Sequence, residues 1–284
     1  MNILMRRIDA WIDSQRLTTT RLQVADQLSF VLGRPVQLLP TTGGGGQDRI
    51  FIARTLTGPH RCLAAVRIPC RWKSRPQAEP FLPRETLSAV QRIARESAAY
   101  ERLSTHGLAP RLIARSTQFL ANDFLPWDRL SEVLRQDDKS LWQVLPGVLR
   151  SVHAMHSLGV SHMDLNCGNI LISPERSRVV FIDFEYAPSN HLSPVDRFRF
   201  DYLRLAHNLL KPRRGRRSAF ENPHRFVQMF AEYAPLCAAG IPGTFPVGAY
   251  SRLLENPEIA AGFVENFGIA RSESNIMGGN RVSD

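Results

Sequence analysis

The sequence is nearly without lysine. Lys stands only at positions 73, 139 and 211, so Arg supplies nearly all of the 36 basic residues that outweigh 26 acidic ones and give a net charge of +10. No run of 18 or more apolar residues occurs, so the sequence predicts no transmembrane helix. The stretch MNILMRRIDAWIDSQR mixes charges throughout and lacks the apolar centre of a secretion signal. Cys62, Cys70, Cys167 and Cys237 show no CxxC spacing, which predicts reduced thiols in a cytoplasmic protein rather than disulfides or a zinc site. What is present is an ordinary globular composition in 284 residues, enough for one large domain or two lobes. The basic balance suggests anionic partners. A nucleic-acid binder would interleave basic and aromatic residues on one face. Only KPRRGRR at 211–217 is dense, and it reads equally as a solvated loop.

Period and punctuation divide the chain. An amphipathic helix is predicted from about Thr20 to Leu32, closed by Gly33. RPVQLLP (34–40), RIFIART (49–55) and RCLAAVRIP (61–69) read as three strands of an antiparallel meander, with a Gly loop between the first two. Residues 84–106 have helical spacing, and Gly107 stops them. RLIARSTQFLANDFL (111–125) holds two short strands. A helix is expected over 141–159, although Pro146 and Gly147 weaken its first part. NILIS and VVFID then read as strands before a mainly helical remainder. The expected fold class is α+β, with a small β-rich lobe (1–124), a larger helical lobe (125–271) and a polar tail (272–284) that reads as disordered. A cleft between such lobes is a default ligand site.

The chemistry concentrates in HMDLNCGN (162–169) and FIDFEYA (181–187). Phosphoryl transfer needs a carboxylate to take the acceptor proton, oxygen ligands for Mg²⁺, and cations and backbone N–H groups for the phosphates. Asp164 suits the first role. Asn169 and Asp183 suit the second, since a hairpin between NILI and VVFI can hold them at neighbouring strand ends. His162 can buttress the loop through a backbone hydrogen bond.

With an Asn five residues after the Asp and a strand ending in Asp, the pattern resembles the catalytic and metal loops of the protein-kinase-like superfamily, H-R-D-x-x-x-x-N and D-F-G. The order of elements over 34–210 agrees. The resemblance implies a bilobal kinase binding ATP and Mg²⁺. It places Gly43, Gly44, Gly45 and Gly46 over the phosphates and Asp123, Phe124 and Leu125 beside the adenine. It makes Arg67 the phosphate-facing cation, in preference to Lys73, and pairs it with Glu96, with Glu101 as fallback. Asp201 in FDYLRLA resembles the helix Asp that braces the catalytic loop.

The chain departs from that pattern. Arg67 stands where A-x-K has Lys, and the two are not interchangeable. The second loop reads DFE, with Glu185 in place of Gly. Asn166 replaces the catalytic-loop Lys of Ser/Thr protein kinases. Only 17 residues separate Asp183 from Asp201, with no A-P-E. The last two favour a small or lipid-linked acceptor over a protein. HMDLNCGNILI and FIDFE followed by DYLRLAHNLLK are similar to the bacterial lipopolysaccharide-core sugar kinases of the Kdo type. That resemblance implies a role in lipopolysaccharide biosynthesis and leaves open a peripheral contact with the anionic inner face of the inner membrane. FIDFEYAPSN also resembles the choline and ethanolamine kinases, whose ammonium substrates need acidic and aromatic side chains. Aminoglycoside phosphotransferases, protein kinases and a nucleotide-binding pseudokinase remain as alternatives.

Overall fold

The computed structural model describes residues 3–41, 48–69, 83–85, 87–233, 245 and 247–269. These fall into two compact units. The first takes residues 3–41, 48–69, 87–126 and 183–185; the second takes 83–85, 127–182, 186–233, 245 and 247–269.

The first unit contains helix α1 (Ile3–Leu32), strands β1 (Val36–Pro40), β2 (Asp48–Thr55) and β3 (Cys62–Pro69), helix α2 (Ala89–Ser104), and strands β5 (Leu112–Arg115) and β6 (Leu120–Asp123); β4 (Arg84–Glu85) belongs to the second unit. The sheet is antiparallel in the order β1-β2-β3-β6-β5. Strand alternation sorts β3 into two faces. Ala64, Val66 and Ile68 join Val24 and Leu28 of α1 in one buried cluster. Arg67 points the opposite way, towards α2. Burying a Leu or Phe there stabilises the unit by about 2 kcal/mol.

Helix α1 begins well before the Thr20 that the apolar pattern suggested. The run Thr18–Thr20 is a poor helix former, but the Thr19 hydroxyl donates to the Gln15 carbonyl (3.2 Å), which lets it sit within the helix. Helix α2 is shorter than the predicted 84–106. Ser88 caps it, bonding reciprocally with Gln91, and Arg84–Glu85 pair instead as a strand with Ala187–Pro188.

The second unit contains β4, β7 (Asp128–Arg129), α3 (Leu130–Gln136), α4 (Leu141–Ser157), β8 (Ile170–Ile172), β9 (Val179–Phe181), β10 (Ala187–Pro188), α5 (Pro194–Leu209), α6 (Arg216–Glu221), α7 (Pro223–Tyr233) and α8 (Pro257–Phe267). The predicted NILIS and VVFID strands pair antiparallel as β8 and β9. Helix α4 runs through Pro146 at the loss of one intrahelical hydrogen bond. Its face of Leu145, Val148, Leu149 and Val152 is fully buried, which offsets that loss. Tyr202, Phe226, Phe230, Phe263 and Phe267 are buried against one another, with ring centroids 4.9–6.5 Å apart.

Candidate functional site

In the second unit the loop 162–169 is held from below by α5. Asp201 is fully buried in that helix. Its carboxylate accepts the backbone N–H of His162 and of Met163, each at 2.7 Å, and a third bond from His156 Nε2 at 3.1 Å. Hydrogen bonds to a buried charge are worth about 1.5–3 kcal/mol each, so this is a strong clamp. Met163 adopts φ +65°, a left-handed conformation that a non-glycine residue keeps only where its surroundings hold it. His162 Nε2 lies 2.9 Å from the Ile182 carbonyl, and its Nδ1 accepts the Asp164 N–H at 3.3 Å. The tautomer protonated on Nε2 satisfies both.

Asn166 folds back into the loop. Its Nδ2 donates to the Asp164 carbonyl (3.0 Å) and to Asp164 Oδ2 (3.2 Å), and its Oδ1 accepts the Gly168 N–H (2.8 Å). A Cβ on Gly168 would stand 3.0 Å from that oxygen, which explains a glycine there. Asn169 Nδ2 donates to the Asp164 carbonyl at 3.1 Å. Its amide nitrogen is thereby fixed, and no hydrogen bond engages its oxygen among the described residues. The Ile182 N–H bonds the Asn169 carbonyl at 3.0 Å, one residue before Asp183 in the chain.

Two arginines that sequence reasoning missed meet Asp164. Arg84 Nη1 lies 2.8 Å and Arg204 Nη2 3.2 Å from Asp164 Oδ1. Arg84 also stacks over the Tyr186 ring at 3.8 Å. Arg204 follows Asp201 by one helical turn, so the i, i+3 rule could have flagged it. Arg84 reaches the loop through the β4–β10 pairing, which no local pattern reveals.

The first unit gathers a different set. Arg67 Nη2 lies 2.7 Å from Asp183 Oδ1, its Nε 3.3 Å from Glu96 Oε2, and its Nη1 3.3 Å from Asp48 Oδ2 and 3.6 Å from Glu185 Oε2. Arg92 joins with Asp48 (2.6 Å) and Glu185 (3.4 Å). Burial raises the Glu96 carboxyl to about 7, against the opposing pull of Arg67. Its Oε1 accepts the Tyr100 hydroxyl at 2.7 Å. Asp183 has φ +73°, again left-handed and non-glycine. Asp48 and Arg92 were not anticipated, because nothing in their local sequence separates them from surface charges.

Asp123 ends β6 with its carboxylate on Arg111 (3.2 Å to each oxygen), and the Phe124 N–H bonds the Leu63 carbonyl at 3.3 Å; Phe124 and Leu125 are half-buried. Glu101 lies 3.7 Å from Arg115 on the surface, away from the Arg67 cluster. The Gly43–Gly46 loop, Lys73 and the tail from Ser272 lie outside the described residues. No described helix is long and apolar enough to cross a membrane.

Residues 88–200 match the model of the lipopolysaccharide kinase (Kdo/WaaP) family, a span that includes α2, the 162–169 loop and the DFE segment but less than half of the chain. The Streptomyces griseus serine/threonine-protein kinase AfsK is 24% identical over 157 residues, 54% of this chain; the chain spans 18% of that relative's length. Two structures of the Mycobacterium tuberculosis PknI kinase domain, the second a single-substitution variant, are 15% and 13% identical. They cover 61% and 72% of this chain and 73% and 88% of their own, with TM-scores of 0.41 and 0.46. Over residues 88–200 the chain is similar to the lipopolysaccharide kinases, and its HMDLNCGN and FIDFE segments resemble the loops of the protein-kinase-like superfamily.

Proposed function

We propose that the chain transfers the γ-phosphoryl group of ATP to a hydroxyl of a small or lipid-linked acceptor, a lipopolysaccharide core sugar first among them. The observation that carries this reading is the clamp of Asp201 on the His162 and Met163 N–H groups, which presents Asp164 on a fixed loop. Asp164 would orient the acceptor hydroxyl and take its proton. Oδ2 is the better candidate atom, since Oδ1 already receives both arginines. Asn169 and Asp183 offer hard oxygen donors that suit Mg²⁺, and the fixed amide nitrogen of Asn169 leaves its oxygen for that purpose. The metal would neutralise charge on the phosphates. Arg67, with Glu96 beside it, would contact those phosphates, and Gly43–Gly46 would cover them. Positioning and charge stabilisation, without a covalent intermediate, would supply the rate.

The aromatic residues speak against an ammonium acceptor. A choline-type site needs rings facing the substrate, whereas Tyr202, Phe226, Phe230, Phe263 and Phe267 are spent in the core. One observation favours a nucleotide-binding pseudokinase as second reading: Arg67 already has four carboxylates around it.

The test is Mg-ATP turnover against Kdo–lipid A, heptosylated core, choline, ethanolamine and a generic protein, with Asp164→Ala as control. Transfer to a core sugar, lost in the variant while nucleotide binding stays, is the expected result. Turnover that survives Asp164→Ala would sink the assignment. Nucleotide binding without transfer to any acceptor would favour the pseudokinase.

A further inference from the structure

The loop that bears Asp164, HMDLNCGN, contains no Lys or Arg of its own. The transfer proposed above nevertheless concentrates negative charge beside it. A bond forms from the acceptor oxygen to the γ-phosphorus, the bond from that phosphorus to the leaving oxygen of ADP breaks, and the acceptor proton passes to Asp164. Meanwhile charge spreads over the equatorial oxygens of the phosphoryl group, where a cation fixed in advance lowers the barrier.

Two cations reach the loop from outside it. Arg84 Nη1 lies 2.8 Å and Arg204 Nη2 3.2 Å from the same atom, Asp164 Oδ1. Their mountings are independent. Arg204 stands on α5, one turn after Asp201, so the helix that clamps the loop also sets this guanidinium. Arg84 comes from β4, which pairs with β10, and its guanidinium lies over the Tyr186 ring at 3.8 Å. Among the described residues Asp164 is the only hydrogen-bond partner of either side chain. One arginine neutralises the carboxylate, and Asn166 Nδ2 already holds its other oxygen at 3.2 Å. The second arginine is surplus to fixing Asp164 and leaves the group with net positive charge. The side chains of Arg84, Arg204 and Asp164 are 11%, 16% and 20% exposed. They are enclosed enough for charge to act strongly, yet open to an incoming anion.

Reach follows from the chemistry. The acceptor hydroxyl must come within about 3 Å of Asp164 to give up its proton, and its oxygen within about 3.5 Å of the phosphorus to attack. The phosphoryl group therefore passes within about 6–7 Å of the Asp164 carboxylate, beside guanidiniums hydrogen-bonded to that carboxylate. Each arginine spends one nitrogen on Asp164, and the rest of a planar fork suits phosphoryl oxygens. We propose that Arg84 and Arg204 are catalytic cations, whose remaining N–H groups engage the equatorial oxygens of the γ-phosphoryl group while Asp164 holds the acceptor hydroxyl. The inference rests on the kinase reading above and adds the residues that stabilise its transition state.

Titration of the full chain with Mg-ADP, without and with aluminium fluoride as a mimic of the phosphoryl group in flight, reads this contact without turnover. Aluminium fluoride is expected to tighten Mg-ADP binding to wild type by about 10-fold or more. Arg84→Met and Arg204→Met should lose most of that gain while binding Mg-ADP alone as wild type does, which also shows them folded. Arg84→Lys and Arg204→Lys should restore part of it. In the transfer assay the Met variants should lower kcat by about 100-fold and leave the ATP KM within about three-fold. An undiminished gain in both Met variants would overturn the assignment, and a raised acceptor KM in them would then give the arginines to the acceptor. Loss of Mg-ADP binding itself in both would mark a structural role and overturn it as well. Wild type that binds Mg-ADP but gains nothing from aluminium fluoride would overturn the inference and leave nucleotide binding standing. Wild type that binds no Mg-ADP would remove the kinase reading and the inference with it.

Discussion

The two units carry opposite local charge. In the first, two arginines, Arg67 and Arg92, face four carboxylates, from Asp48, Glu96, Asp183 and Glu185. In the second, Arg84 and Arg204 face a single carboxylate, Asp164, and Lys211 and Arg214, just after α5, pair with no carboxylate among the described residues. An overall charge of +10 conceals this contrast. An acid-rich set is one that a divalent metal or a cationic side chain completes. A base-rich set is one that an anionic group completes.

Removing the central cation of the acid-rich set should have the largest effect. Arg67→Met leaves four carboxylates around one remaining arginine. Breaking a buried ion pair by deleting one partner costs about 3–5 kcal/mol. Urea unfolding is expected to show a loss of that order, together with weaker nucleotide binding by titration. An unchanged midpoint would mean that the carboxylates repel one another less than their distances suggest.

The next test concerns two departures from the kinase pattern that turn out to touch. Arg67 stands in the place of Lys and Glu185 in the place of Gly, and their side chains lie 3.6 Å apart. A lysine has three donors at one point, whereas Arg presents a fork that can serve several carboxylates. The two departures therefore read as one compensated change. Arg67→Lys alone should destabilise the unit. Arg67→Lys with Glu185→Gly should recover part of the loss, with an interaction energy of about 0.5–3 kcal/mol in a double-mutant cycle. Strict additivity would separate the two positions.

These particulars show what was legible. The loop and strand that bear Asp164, Asn169 and Asp183 were visible because their spacing is local and chemically dense. The meander and the helix bearing Glu96 were visible because apolar residues recur at strand and helix periods. Arg84, Asp48 and Arg92 were not, because each gains its meaning from partners at least 19 residues away. The strand Arg84–Glu85 was misread as helix for the same reason: its partner is Ala187–Pro188. Asp201 lay between the two cases. Its motif resemblance suggested a brace, but the three hydrogen bonds on its carboxylate are a property of the packing.

The acid-rich set should also be sensitive to pH. Glu96 in the folded chain is raised by burial to about 7, above its ordinary 4.5, so the folded state holds the proton more tightly than the unfolded one. The stabilisation this gives is complete below about pH 4.5 and is lost as pH rises through about 7. Urea midpoints at pH 5 and 8 should therefore differ more in wild type than in Glu96→Gln. A Glu96→Gln chain with the full wild-type pH dependence would assign that dependence to other groups.

The smallest effect tests how far the field of the base-rich set reaches. Cys167 is fully buried within the loop 162–169, where Arg214 and Lys211 act on its thiol. Both cations favour a thiolate, but burial outweighs them and pushes the thiol up to about 12. Cys62, at the start of β3, is exposed. Since the thiolate is the reactive form, iodoacetamide at pH 8 should label Cys62 readily and Cys167 only on unfolding. Peptide mass spectrometry after a timed exposure separates the two sites. Rapid labelling of Cys167 in the folded chain would mean that the field of Arg214 and Lys211 overcomes desolvation at the loop.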